Sequence, residues 1–271
     1  MLSILKYEFI QQALLAVIAM SIFAPILGTF LILRRQSLLS DTLSHVSLAG
    51  VALGVLIGFS PTYATITVVI IAAIFLEYLR TIYKNFMELG TAILMSTGLA
   101  IAMVVMSKTS SSSLSLEQYL FGSIITININ QVISLFLIAL IIIFLTILFF
   151  RPLYIMTFDE HISFSEGLNI KLTSTLFNIL TGVAISLMIP AVGALLVSTI
   201  IILPASISLT ISKNFKSVIF SGIIICLLGM IAGIFISYYA ETPASATITL
   251  IFITIFIAIN LTNKIKHKGV I

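Results

Sequence analysis

Charge is scarce in this sequence. Only 8% of its 271 residues are Asp, Glu, Lys or Arg, while 60% are apolar, and the mean hydropathy is +1.27. A soluble fold of this length cannot hide so much hydrocarbon from water, so the surrounding solvent must be lipid. Cysteine is almost missing as well. Cys226 stands alone inside an apolar run, which excludes an internal disulfide framework and a cysteine-cluster metal site. The chain has no G-x-x-x-x-G-K-S/T phosphate loop, so it does not bind and hydrolyse ATP in the usual manner by itself. H-E-x-x-H and G-x-S-x-G are also missing, which removes the commoner routes to an intramembrane protease or hydrolase. No enzymatic role has residues to rest on.

What is present is a series of long apolar runs. A bilayer core about 30 Å thick takes roughly 20 mostly apolar residues per helical crossing. Runs at 9–33, 40–59, 62–80, 88–107, 130–150, 174–190, 192–211, 217–239 and 245–262 meet that requirement, predicting an all-α, polytopic transmembrane bundle of about nine spans in one domain over residues 1–271. The first run, Phe9 to Leu33, is too long for a signal-peptide core and lacks a small-residue cleavage site, so it is expected to be retained. Alternate links hold Arg34, Arg35, Arg80, Lys84, Arg151, Lys171, Lys213, Lys216, Lys264, Lys266 and Lys268, which leaves only Lys6 and Lys108 on the other side. The positive-inside rule then puts the N-terminus outside and the C-terminus in the cytoplasm. A two-residue turn between Pro190 and Gly193 must separate neighbouring spans. The serine run Ser110 to Ser113 marks an outer loop. Leu116 to Ile125 has the pattern of a short interfacial helix, with Tyr119 and Phe121 at headgroup depth.

The chemistry is concentrated between Arg34 and Gly58. Counted as a helix from Arg35, this segment carries Asp41 and then His45 into the bilayer. Their spacing of four puts both on one face, together with Ser37 and Ser44. A carboxylate in the hydrocarbon is disfavoured by about 2.5 to 3.5 kcal/mol, so Asp41 should face a cavity, a partner or an ion. One carboxylate oxygen and one imidazole nitrogen suit zinc and manganese better than calcium or alkali ions. One chain supplies two ligands; a two-fold dimer with the ion path on its axis would supply four. Binding to an ionised Asp41 and a neutral His45 is expected to weaken as pH falls through the histidine range. The competing structural reading is a hydrogen-bonded Asp–His pair that only fixes packing. Gly50, Gly54 and Gly58, like Gly229 and Gly233, form small-residue stripes for close helix contact. Glu77, one turn before Arg80, reads as a snorkelling pair near the inner face. Glu241 and Pro243 line an entrance or form a capped turn. His161 and His267 fall in cytoplasmic segments and are expected to be solvated.

Residues 151–173 form the longest cytoplasmic excursion. Within it Thr157 to Leu168 mixes Phe158, Ile162 and Phe164 with Asp159, Glu160 and Glu166, and Gly167 suits a helix end. Such an amphipathic helix is either a docking element or a surface helix tucked against the membrane.

Leu31 to Gly54, Thr157 to Leu168, Gly193 to Ser206 (GALLVSTIIILPAS) and Tyr238 to Leu250 (YYAETPASATITL) together resemble the permease subunits of zinc and manganese ABC importers, closest to the zinc uptake branch of Gram-positive bacteria. The resemblance implies a fold related to the vitamin B12 type of importer, sited in a bacterial plasma membrane. It implies two permease copies, two ATPase subunits that hold the ATP, and an extracellular metal-binding lipoprotein, with no nucleic acid and no permanently bound cofactor. Asp41 and His45 would then be the ligands of the transported ion. Phe158, Asp159, Glu160 and Gly167 would belong to a coupling helix seated on the ATPase. The branch favours zinc over manganese. A proton-coupled secondary metal transporter is the alternative, but discontinuous helices and a relay of deep acidic groups would be expected there.

Overall fold

A computed structural model describes residues 7–82, 87–108, 116–122, 127–158, 163 and 165–268, and among them there is no strand. The helices are α1 (Glu8–Leu33), α2 (Leu38–Ile57), α3 (Pro61–Ile82), α4 (Met87–Lys108), α5 (Leu116–Phe121), α6 (Ile129–Leu148), α7 (Phe150–Phe158), α8 (Ile170–Val192), α9 (Ala194–Ile211), α10 (Phe215–Ala240) and α11 (Ala244–Lys268). All but α5 and α7 are long and apolar enough to cross a membrane, giving nine spans among the described residues, as the hydropathy pattern predicts. The chain is therefore a multi-pass membrane protein.

Lipid cannot hydrogen-bond stray polar groups, and the helices answer this locally. Ser21, Thr29, Thr65, Thr181 and Ser186 each donate a hydroxyl to the carbonyl four residues back. Asn128, Asn169 and Asn214 cap the first turns of α6, α8 and α10, and Asn128 forms a reciprocal capping box with Gln131.

Burial separates inner from outer helices. The apolar windows of α1, α2 and α8 are 78%, 67% and 61% buried, against 22% for α4 and 17% for α11, so the first three form the centre and the others face lipid. α2 packs on α3, α4, α8 and α9, while α1 packs on α6, α9 and α10. Short links make successive spans antiparallel. The ends of α1 and α3, the helix α7 and the starts of α8 and α10 thus gather at one end, the basic end, which holds Arg34, Arg80, Arg151, Lys171 and Lys216.

Two local expectations are corrected, and two further features are located. The break between α8 and α9 is a single residue, Gly193 at φ 83°, because Pro190 is accommodated inside α8. α6 ends at Leu148, and a separate helix α7 follows at once, packing Phe150 and Tyr154 edge-to-face with Phe215 at the start of α10. In the short helix α5, Tyr119 packs against the protein core, where burial raises its phenol pKa, and Phe121 is exposed. Glu241 is a left-handed C-cap of α10 whose turn is closed by the Ser237 hydroxyl donating to the Thr242 carbonyl, so the capped-turn reading holds. The run Ser110 to Ser113, residues 123–126, His161, Ile162 and Phe164 lie outside the described residues.

Candidate metal site on the second helix

α2 begins at Leu38 and not at Arg35, because residues 34–37 form a turn in which Arg35 adopts φ 56°. Asp41 is therefore in the first helical turn and His45 one turn further on. Leu39 to Ala52 is enclosed by α3, α4, α8 and α9, and every residue in that stretch is buried except Asp41 and His45. Their side chains are 37% and 15% exposed. The enclosure of α2 thus has one opening along this stretch, and the two ionisable groups occupy it.

Nε2 of His45 lies 3.8 Å from Oδ1 of Asp41, beyond hydrogen-bond range. The pair shares one face but is not closed on itself, which leaves a carboxylate and an imidazole nitrogen available to a third group. Nδ1 of His45 is enclosed and has no hydrogen-bond partner among the described residues. Ser44, expected on the same face, is 1% exposed and donates to the Ser40 carbonyl at 2.8 Å. Three residues after Asp41 and one before His45, it lies to one side of the opening and its hydroxyl is used within the helix.

The position of His45 is set from behind by α4. A Cβ on Gly98 would come within 2.8 Å of Val46 Cα, 2.9 Å of Val46 N and 3.1 Å of the His45 carbonyl carbon. Backbone meets backbone there, and nothing larger than glycine fits without moving α2. On the α3 side Gly50 performs the same task against Thr65, as the small-residue stripe predicts. Gly98 was not evident from sequence, since it has no glycine neighbour at helical spacing to mark a stripe.

The basic end contains a polar cluster that the sequence reading missed. Glu77 does not snorkel: it is 4% exposed. Its Oε2 accepts from Ser174 Oγ at 2.7 Å and from Asn178 Nδ2 at 2.8 Å, both on α8, and Arg80 Nη1 lies 3.7 Å from Oε1. Ser174 Oγ in turn accepts from Arg34 Nη2 at 2.6 Å and from Arg80 Nη1 at 3.0 Å. Polar partners four residues apart on α8 turn Glu77 inward, and that information is long-range in sequence. Beside the cluster is a cavity of about 320 Å³ lined by Gln36, Ser37, Leu38, Glu77, Arg80 and Glu88 among others. It begins one turn from Asp41 and leads towards the basic end.

Of the expected docking residues, Phe158 closes α7 and is 60% exposed, its ring tilted against that of Tyr154 with centroids 4.8 Å apart. Gly167 sits at φ 71° with open space around it, a helix-ending conformation as expected. Arg151 Nη2 and Glu166 Oε2, 2.9 Å apart, bridge the two ends of the segment. Asp159 and Glu160 lie outside the described residues.

Comparison with known proteins decides the family. The model of the ABC 3 transport family matches residues 6–263. The chain belongs to the ABC 3 transport family. Within it, the chain is 28% identical to the high-affinity zinc uptake system membrane protein ZnuB of Haemophilus influenzae, over 93% of this chain and 96% of that protein. It is 26% identical to the manganese transport system membrane protein MntC of Halalkalibacterium halodurans, over 93% of this chain and 87% of that protein. Among solved structures, PsaBC from Streptococcus pneumoniae in complex with Fab superposes with a TM-score of 0.84 at 28% identity, covering 94% of this chain and 91% of that one. ABC 3 family membership agrees with what the motifs implied, as the nine spans agree with the hydropathy pattern.

Proposed function

We propose that this chain is the membrane permease of an ATP-driven importer that carries a divalent transition metal, zinc or manganese, into a bacterial cell. The observation that supports this best is the single opening along Leu39–Ala52, occupied by Asp41 and His45 alone. Among the described residues no three His, Cys, Asp or Glu side chains come together, so one chain offers two ligands. Two copies related by a two-fold axis through that opening offer two carboxylates and two imidazoles, a tetrahedral set for zinc that also accepts manganese. In this reading the basic end faces the cytoplasm, the N-terminus is outside, and the segment Phe158–Gly167, with Asp159 and Glu160, docks on one of two ATPase subunits. An extracellular metal-binding lipoprotein delivers the ion. The cavity past Asp41 is the way out. Names of relatives support both metals, and the residue resemblance favours zinc.

The test is uptake of radiolabelled zinc or manganese by liposomes holding the permease, its ATPase and the delivery protein. ATP-dependent uptake that survives collapse of the proton gradient, and is lost in Asp41→Ala and His45→Ala, is the expected result. Uptake driven by a proton gradient without ATP would instead establish a secondary transporter.

A further inference from the structure

The buried cluster at the basic end joins elements on which the proposed transport cycle depends. α8 follows the Phe158–Gly167 segment directly, and its second and third turns carry Ser174 and Asn178. Both hold Glu77 of α3, and Ser174 also receives Arg34 from the turn that opens α2. Four residues beyond Asn178, on the same stripe of α8, Gly182 lies against Val69 of α3, and Leu43 of α2 is the next neighbour; a Cβ there would meet Val69 Cγ1 at 2.6 Å and Leu43 Cδ1 at 3.5 Å. Leu43 stands midway between Asp41 and His45. A continuous line of packed groups thus runs from the end of the cytoplasmic segment to the metal helix.

A second cation stop is a poor reading of this cluster. The Glu77 carboxylate is already engaged, with Oε2 accepting from Ser174 and Asn178 and Arg80 Nη1 3.7 Å from Oε1, so it is not held open for a divalent ion. Fixed hydrogen bonds between three elements suit mechanical transmission better, because groups as buried as Glu77, Ser174 and Asn178 have few alternative partners and move as a unit.

We infer that Glu77, Ser174 and Asn178 are positioning residues that transmit movement of the ATPase-docked segment through α8 to α3 and α2, and so couple ATP hydrolysis to opening of the Asp41–His45 site. The inference rests on the proposed function. Its specific prediction concerns efficiency and not metal affinity. In full-length permease assembled with its ATPase in liposomes, Ser174→Ala and Asn178→Leu should hydrolyse ATP within about twofold of wild type while ions moved per ATP fall about tenfold. Equilibrium binding of zinc at Asp41 and His45 should be unchanged. Glu77→Gln should act in the same direction but removes the buried carboxylate that Ser174, Asn178 and Arg80 surround, so the α8 variants carry the test if it fails to assemble. An unchanged ion-to-ATP ratio in both α8 variants overturns the inference, as does a parallel loss of hydrolysis, uptake and thermal stability, the mark of a merely structural role. If wild-type uptake does not depend on ATP at all, it is the proposed function that fails, and the inference with it.

Discussion

Replacing Gly98 by alanine tests whether backbone contact behind His45 holds the ligand in place. The added methyl would meet three backbone atoms of α2 at 2.8 to 3.1 Å, where carbon pairs are at ease near 3.5 to 4.0 Å. Because those atoms belong to a helix held on its other sides by α3, α8 and α9, relief requires α2 and α4 to part by roughly 0.5 to 1 Å. Overpacking of this kind is destabilising by about 1 to 3 kcal/mol, and the helix propensity of alanine over glycine returns about 1. The net, about 0 to 2 kcal/mol, is small against a typical stability of about 5 to 15. The variant should therefore fold and insert. Metal ligation tolerates displacement of only about 0.2 Å, so the shift should reduce zinc uptake about tenfold or more at normal protein level, measured as radiolabelled ion per purified permease. Gly90→Ala on the same helix is the control, since its methyl meets only the Leu79 side chain at 3.3 and 3.6 Å. Wild-type uptake in Gly98→Ala would refute the argument, and so would equal loss in both variants.

Other expectations follow from the packing. Phe30, fully buried and in contact with the rings of Phe177 and Phe215, should on truncation to alanine destabilise the bundle by about 3 to 5 kcal/mol, read as a fall in the thermal unfolding midpoint in detergent. Cys226, 0% exposed within α10, should resist a membrane-permeant maleimide until the bundle unfolds, and fast labelling of the native protein would contradict its placement. Arg151→Ala removes an ion pair whose side chains are 76% and 38% exposed, so stability should change by less than about 1 kcal/mol and less still in high salt.

Much of this was open to reading in the sequence because lipid imposes strong rules. Backbone groups must be satisfied within each span, so the nine apolar runs from Phe9 onward became nine helices with ends displaced by only a few residues. Asp41 and His45 stood out because ionisable groups in apolar helices are rare, and spacing of four fixed their shared face. Less local features were hidden. The start of α2 moved from Arg35 to Leu38 because a turn intervenes, and hydropathy does not register a turn. Glu77 was assigned to Arg80, its neighbour in sequence, while its stronger partners Ser174 and Asn178 lie about a hundred residues away on α8. Gly98 looked like any glycine in a lipid-facing helix until α4 was placed against α2.

The most direct measurement is equilibrium binding of zinc to the purified permease assembly, wild type beside Asp41→Asn and His45→Gln. The account predicts one ion for every two permease chains in the wild type, and binding weakened about 100-fold or abolished in each variant although both remain folded. Equal binding by all three proteins, or one ion for every single chain, would contradict a shared site on the second helix.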